Sequence, residues 1–256
     1  MIQNHRAGFI NRVRQSLGPD IGPADVRRAR IFPETSDKVS QNLLQAVQSR
    51  TPQERETLLA LLMDQAGPLN LHVTPVADPA EAARQIAALV RRKNPEWGEK
   101  KALIRWSHPL LDALDLESVL ADQHIPVHTT AMDSHADLQG QRQVIRENTI
   151  ASFMGITAAD YCVADTATIV MKTHPHQGRA VSLVPSVHVA VITTDQILSN
   201  LAELYAVLED EKNTPENGLT HHMVFISGPS KTADIELTMV HGAHGPKEMH
   251  IFVILA

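Results

Sequence analysis

The sequence predicts an α/β protein with an open, largely parallel sheet flanked by helices and with a helical N-terminal extension. Three observations lead there. From Leu69 onward, short apolar runs alternate with helical segments, the order of a parallel sheet with helices on its faces. Before Leu69 the apolar residues recur only at helical spacing. The chain has 256 residues, 43% of them hydrophobic and 20% charged, which is enough length and apolar content for a large core. We expect residues 1–67 to form the extension and residues 68–256 the α/β domain.

Within the extension, Phe9, Ile10, Val13 and Leu17 mark a first amphipathic helix, and Val39, Leu43, Leu44 and Val47 repeat the spacing in a second. Between them, residues 18–36 are rich in proline and glycine. Such a stretch reads as a solvated loop, or as an arm laid over a partner subunit in a homo-oligomer. Thr51, Pro52, Gln53 and Glu54 then offer a capping box with proline at the first helical position, ahead of the apolar run 58–63.

In the α/β part, extended runs at 69–73, 102–106 and 125–127 alternate with helices beginning at Asp78, at Pro109 and near Gln141. Residues 161–164 and 168–172 read as two strands around a tight turn at Asp165 and Thr166, and 187–193 as a buried strand. Thr193 with Gln196 is expected to cap a helix running through Leu208. A strand at 223–226 should lead through SGPSKTADIE into a helix ending near Gly242, and 249–255 should close the sheet. Ligands of such sheets sit beyond the carboxyl ends of the strands.

Charge and cysteine content exclude several classes. With 23 basic and 29 acidic residues the formal charge is −6, so no overall field draws the chain onto nucleic acid or an anionic membrane. The polar opening MIQNHRAGFINRVRQSLG lacks the apolar core of a secretory signal, and no later apolar run is long enough for membrane insertion. The cytoplasm is the expected compartment. Cys162 stands alone, so neither an intrachain disulfide nor an iron–sulfur cluster is expected on this chain.

The residues that could carry chemistry cluster in the second half. Gly228, Ser230, Lys231, Thr232 and Asp234 lie where a turn would leave a strand and enter a helix; free amides, the helix dipole and the Lys231 charge would favour a phosphate or carboxylate. The stretch matches neither a Walker loop nor GxGxxG, and the simpler alternative is a helix cap made by Ser230 or Thr232. Asp165, Thr166 and Thr168 place a carboxylate and two hydroxyls on a tight turn, suited to orienting a polar ligand or to general-base work, or simply to forming the turn. Arg179 has the planar fork that grips a carboxylate or phosphate, unless it is merely solvated. The 14 histidines include the close pairs His174/His176, His221/His222 and His241/His244. None brings the acidic partner of an HExxH motif, and we read no metal site from them. His188 differs, because an imidazole inside the apolar run PSVHVAVI needs a partner; it is a candidate base or ligand donor.

The segments GITAADYCVADTATIVM, GRAVSLVPSVHVAVI, GPSKTADIE and HGAHGPKEMHIFVI, in this order, resemble the LUD-domain family and within it the lactate-utilisation protein C branch. The resemblance runs from about Leu69 to Ala256. It implies a fold similar to the NagB/RpiA/CoA-transferase group and a part in oxidising L-lactate to pyruvate beside two iron–sulfur partners, lactate-utilisation proteins A and B. It assigns no cofactor to this chain. Carried onto these positions, it implies a site for a small anionic ligand built from Asp165, Thr166, Thr168, Arg179, His188, Gly228, Ser230, Lys231, Thr232, Asp234 and His244, with Asp165 and His188 as catalytic candidates. The family's turn reads ADTGT, whereas Ala167 stands here in place of its glycine. If that glycine serves a positive φ or a close ligand approach, the turn is altered in this chain. Two other readings of the same residues are an independent transferase- or isomerase-like enzyme acting on a phosphorylated or carboxylate substrate, and a structural role with the N-terminal helices as a docking element.

Overall fold

The computed structural model describes residues 9–10, 12–13, 16, 37–96, 98–211, 222–233, 239–242 and 244–255. The first expected helix is helical at its described positions, while the proline-rich segment 18–36 and Asp234 lie outside the described residues. Helix α1 (Asp37–Gln48) follows, and the expected capping box opens α2 (Pro52–Ala66). There the Thr51 amide donates to Glu54 Oε2 at 2.8 Å while the Glu54 amide donates to Thr51 Oγ1 at 3.3 Å, so two amides with no intrahelical partner are satisfied. α2 buries Leu59, Leu62 and Ala66 in the same core as the sheet.

Strand β1 (Leu71–Val76) leads to α3 (Pro79–Arg92), whose N-cap Asp78 accepts from the Glu81 amide at 2.7 Å. Then come β2 (Leu103–Arg105), the one-turn helices α4 (Pro109–Asp112) and α5 (Leu116–Val119), β3 (Val127–Thr129), α6 (Leu138–Ala151) and β4 (Met154–Ala158). The chain continues through β5 (Tyr161–Val163), β6 (Thr168–Lys172), α7 (Ala180–Leu183), β7 (Val187–Thr193), β8 (Ile197–Leu198) and α8 (Leu201–Glu211). It ends with β9 (Met223–Ile226), β10 (Lys231–Ala233), β11 (Met239–His241) and β12 (Glu248–Ile254).

Six strands form a sheet in the order β1-β12-β7-β4-β2-β3, and every neighbouring pair is parallel. Strands β7 and β12 are buried almost end to end, as parallel strands covered on both faces must be. Each fully buried Ile, Leu or Val there contributes about 1.5–3 kcal/mol. A second sheet has the order β8-β5-β6-β9, with β6 antiparallel to both β5 and β9. Leu204 and Leu208 of α8 close a small separate core over Val163, Val170 and Leu198.

Three expectations need correction. The stretch after Gly228 is not a helix start: β10 pairs antiparallel with β11. Gly228 has φ +108°, and the Ser230 amide is taken by the Pro246 carbonyl at 2.8 Å, so no fan of free amides and no helix dipole forms. His241 consequently belongs to a strand. Thr193 and Gln196 do form a capping box, but it closes a single 3-10 turn; α8 begins later, where Asn200 Oδ1 accepts from the amides of Ala202 and Glu203. Finally, β4 lies between β2 and β7 but escapes the sequence pattern, since MGITA is short and carries no alternation. Its Gly155 is required by packing: a Cβ there would lie 1.9 Å from the Val181 carbonyl oxygen, so only glycine lets α7 rest on the sheet.

Candidate functional site

At the carboxyl ends of β2, β3 and β4 the chain collects polar side chains. Trp106 follows β2 and donates from its indole nitrogen to the Gly178 carbonyl at 3.0 Å. Thr130 follows β3; its Oγ1 accepts from the Ser107 amide at 3.0 Å and donates to the His176 carbonyl. Loop 173–179 is thereby pinned across the sheet edge. Two residues beyond β4, Asp160 accepts from His174 Nε2 at 2.8 Å through one oxygen and from the Lys172 amide at 2.7 Å through the other. His108, the N-cap of α4, is held below its ordinary pKa by burial, against the opposing pull of Asp160 and Asp112.

Between this loop and α6 opens a cleft of about 490 Å³. Its walls include Thr130, Arg142, Thr149, His174, His176, Arg179 and His222. Arg179 Nη1 lies 2.8 Å from His222 Nε2, and among the described residues neither Arg142 nor Arg179 is ion-paired with a carboxylate. Two guanidinium groups without a carboxylate partner among the described residues therefore line the cleft. His176 adds a ring nitrogen, Nδ1, that is buried without a protein hydrogen-bond partner. A buried polar atom in that state costs about 1–3 kcal/mol. Among the described residues no group of three or more His, Cys, Asp or Glu side chains is arranged to hold a metal ion.

Of the expected site residues, Arg179 lines this cleft. His188, Gly228, Ser230 and His244 come together elsewhere, around a cavity of about 130 Å³ on the far side of α7. Thr168 is buried and shares a 2.7 Å hydrogen bond with Ser227, next to that cavity. Asp165 and Thr166 stand exposed on the turn between β5 and β6, where the Asp165 amide donates to the Ser199 carbonyl at 3.1 Å; neither lines the cleft or the cavity. Lys231 is exposed on β10 opposite His241, and Thr232 sits next to it in register with Val240. Sequence reading missed Asp160, Arg142 and Thr130. The usable signal was positional: Thr130 directly follows a parallel strand and Asp160 lies two residues beyond one, but β4 itself carried no recognisable pattern.

The ends of the cleft residues' strands and the cleft itself fall within a stretch that matches known proteins. The LUD domain family matches residues 59–254. The chain is 29% identical to Lactate utilization protein C of Halalkalibacterium halodurans over 250 residues, 96% of this chain and 95% of that one. It is 41% identical to an uncharacterized protein of Neisseria meningitidis serogroup B over 101 residues, 40% of this chain and 42% of the relative. A crystal structure of a duf162 family protein from Deinococcus radiodurans aligns with 80% of this chain and 99% of its own, at a TM-score of 0.45 and 18% identity. With more than half of its length matched by the family, the chain belongs to the LUD-domain family.

Proposed function

We propose that this chain is a non-redox component of lactate utilisation in the cytoplasm, supporting oxidation of L-lactate to pyruvate by binding a small carboxylate in the cleft between Arg142 and Arg179. The observation that carries the reading is the pair of guanidiniums, without carboxylate partners among the described residues, on a cleft at the carboxyl edge of the sheet. A planar fork grips a carboxylate in two places. Similarity over nearly the whole length to a protein named Lactate utilization protein C supports the metabolic setting. The lone cysteine, Cys162, is wholly buried and its thiol pKa is pushed up to about 12 by that burial, which suits a component that leaves electron transfer to iron–sulfur partner proteins of types A and B.

The test is calorimetric titration of the purified chain with L-lactate and with pyruvate, repeated for Arg179→Ala and Arg142→Ala. The reading expects saturable binding, weakened about tenfold or more by either substitution, the loss of one charge-assisted contact. In the native host, deleting the chain should stop growth on L-lactate, and Arg179→Ala should fail to restore it. Normal growth of the deletion strain, together with no carboxylate binding, would sink the proposal.

A second reading is favoured by the Asp160–His174 pair, which places an oriented imidazole on the cleft wall as a general base requires. An independent enzyme of this kind, transferase- or isomerase-like, would turn over a carboxylate or phosphorylated substrate as the isolated chain.

A further inference from the structure

The cavity on the other side of α7 has different chemistry from the cleft. It measures about 130 Å³ and lies between α7, the start of β7 and the loops that flank β9 and β12. Ser182, Leu183, Ile226, Ser230 and Met249 form most of its walls, and His188 contributes from β7. That imidazole is only 1% exposed. Among the described residues, no lysine, arginine, aspartate or glutamate lines the space.

The hydrogen bonds around His188 determine which of its nitrogens is on offer. Nε2 lies 2.9 Å from Thr157 Oγ1, and the Thr157 hydroxyl is also 3.7 Å from Met171 Sδ. One hydroxyl has one proton. Both contacts are satisfied when Thr157 donates to the sulfur and His188 Nε2–H donates to Thr157. Nδ1 is then an unprotonated acceptor, and it makes no hydrogen bond to any described residue. Burial, reinforced by nearby His250, lowers the pKa of His188 to about 3, so the ring is neutral. An anion entering this space would lose its hydration and find no opposite charge. A hydroxyl would find an unprotonated acceptor on His188, at the wall of a mostly apolar enclosure.

We propose that this cavity is a second binding site, which takes a small uncharged molecule, or the uncharged end of a larger one, with an apolar body and one hydroxyl that donates to His188 Nδ1. Its size admits about six non-hydrogen atoms, since engineered cavities of about 150 Å³ hold benzene. Ser230 Oγ, which has no hydrogen-bond partner among the described residues, is placed to bond the same hydroxyl or a second one near the mouth beside His244. The site is independent of carboxylate binding in the cleft, because its chemistry rejects the ligand the cleft favours.

The experiment uses the full chain with histidine labelled by ¹⁵N, titrated with 1-butanol and with its isomer methyl propyl ether, which has the same atoms but no donor. The expected result is an unprotonated Nδ1 on His188 whose resonance moves saturably with butanol, and affinity about fivefold tighter for butanol than for the ether, as one net hydrogen bond allows. His188→Met should erase that preference while both probes still enter. Ser230→Leu, at a partly exposed wall position, should block both probes without touching the buried network. Equal affinity of wild-type protein for the two probes, binding of neither, a proton on Nδ1, or displacement of butanol by pyruvate would each overturn the proposal.

Discussion

His174 donates from Nε2 to Asp160 Oδ1 at 2.8 Å, and the two partners differ in what they leave behind when removed. Asp160 is mostly buried and also holds the Lys172 amide; the His174 side chain is 37% exposed on the cleft wall. Asp160→Ala strands a buried amide and should lower stability by about 2–3 kcal/mol. His174→Ala breaks a partly solvated pair and should cost less than about 1 kcal/mol while weakening carboxylate binding in the cleft. Urea denaturation of the two variants beside calorimetry separates these outcomes. Equal destabilisation by both would mean that His174 is held for structure.

The buried imidazoles set an acid limit on the fold. Burial lowers His188 to about 3, with a smaller contribution from His250, and burial with His72 lowers His250 to about 4. Both lie below the unfolded value of 6.5, so the unfolded chain binds protons that the folded chain refuses. The stability is therefore present above pH 6.5 and is lost as pH falls toward 4 and then 3. Each histidine contributes a slope of up to about 1.4 kcal/mol per pH unit in its window. Denaturation midpoints between pH 7 and pH 4.5 should fall steadily, and His250→Gln, at the ring stacked 4.8 Å from His72, should flatten the fall. A midpoint independent of pH across that range would refute the account.

Gly155 should be intolerant of any side chain. A Cβ at 1.9 Å from the Val181 carbonyl forces α7 off the sheet, and the predicted cost of Gly155→Ala is about 3 kcal/mol. Because α7 separates the cleft from the second cavity, the same variant should also weaken butanol and carboxylate binding together. A thermal shift assay and the two titrations check this; an unperturbed melting temperature contradicts the packing argument.

Ala167 has φ +44° and ψ +48°, the left-handed conformation that the resemblance assigns to a glycine. Alanine pays about 1 kcal/mol there relative to glycine, and its buried methyl returns about 0.8 kcal/mol. Ala167→Gly should therefore shift stability by less than about 1 kcal/mol, whereas Ala167→Val, β-branched at positive φ, should cost about 2 kcal/mol or more. Chemical denaturation decides. If Ala167→Gly instead changed ligand binding without changing stability, the turn would have a role in approach rather than in conformation.

What the sequence determined by itself is local. Thr51 with Glu54, and Asp78 with Glu81, specify their helix starts because each needs only neighbours four residues away or fewer. The buried run 187–193 reads as a strand since its continuous apolarity belongs to a strand covered on both faces, and the family is legible because its ordered segments lie along one chain. Tertiary structure alone decided the rest. Whether residues 231–233 join a helix or a hairpin depends on Met239–His241 arriving as a partner, and on Pro246 taking the Ser230 amide. Asp160, a loop residue in the sequence, becomes part of the cleft through His174 and the end of β4. Arg142 and Arg179 line one cleft although they are far apart in the chain. His188 and Arg179, expected in one site, are divided by α7 because Gly155 lets that helix settle directly on the sheet. Capping and periodicity act over single turns of chain, whereas a site is an arrangement of strand ends, and strand order is set by long-range packing that no local pattern encodes.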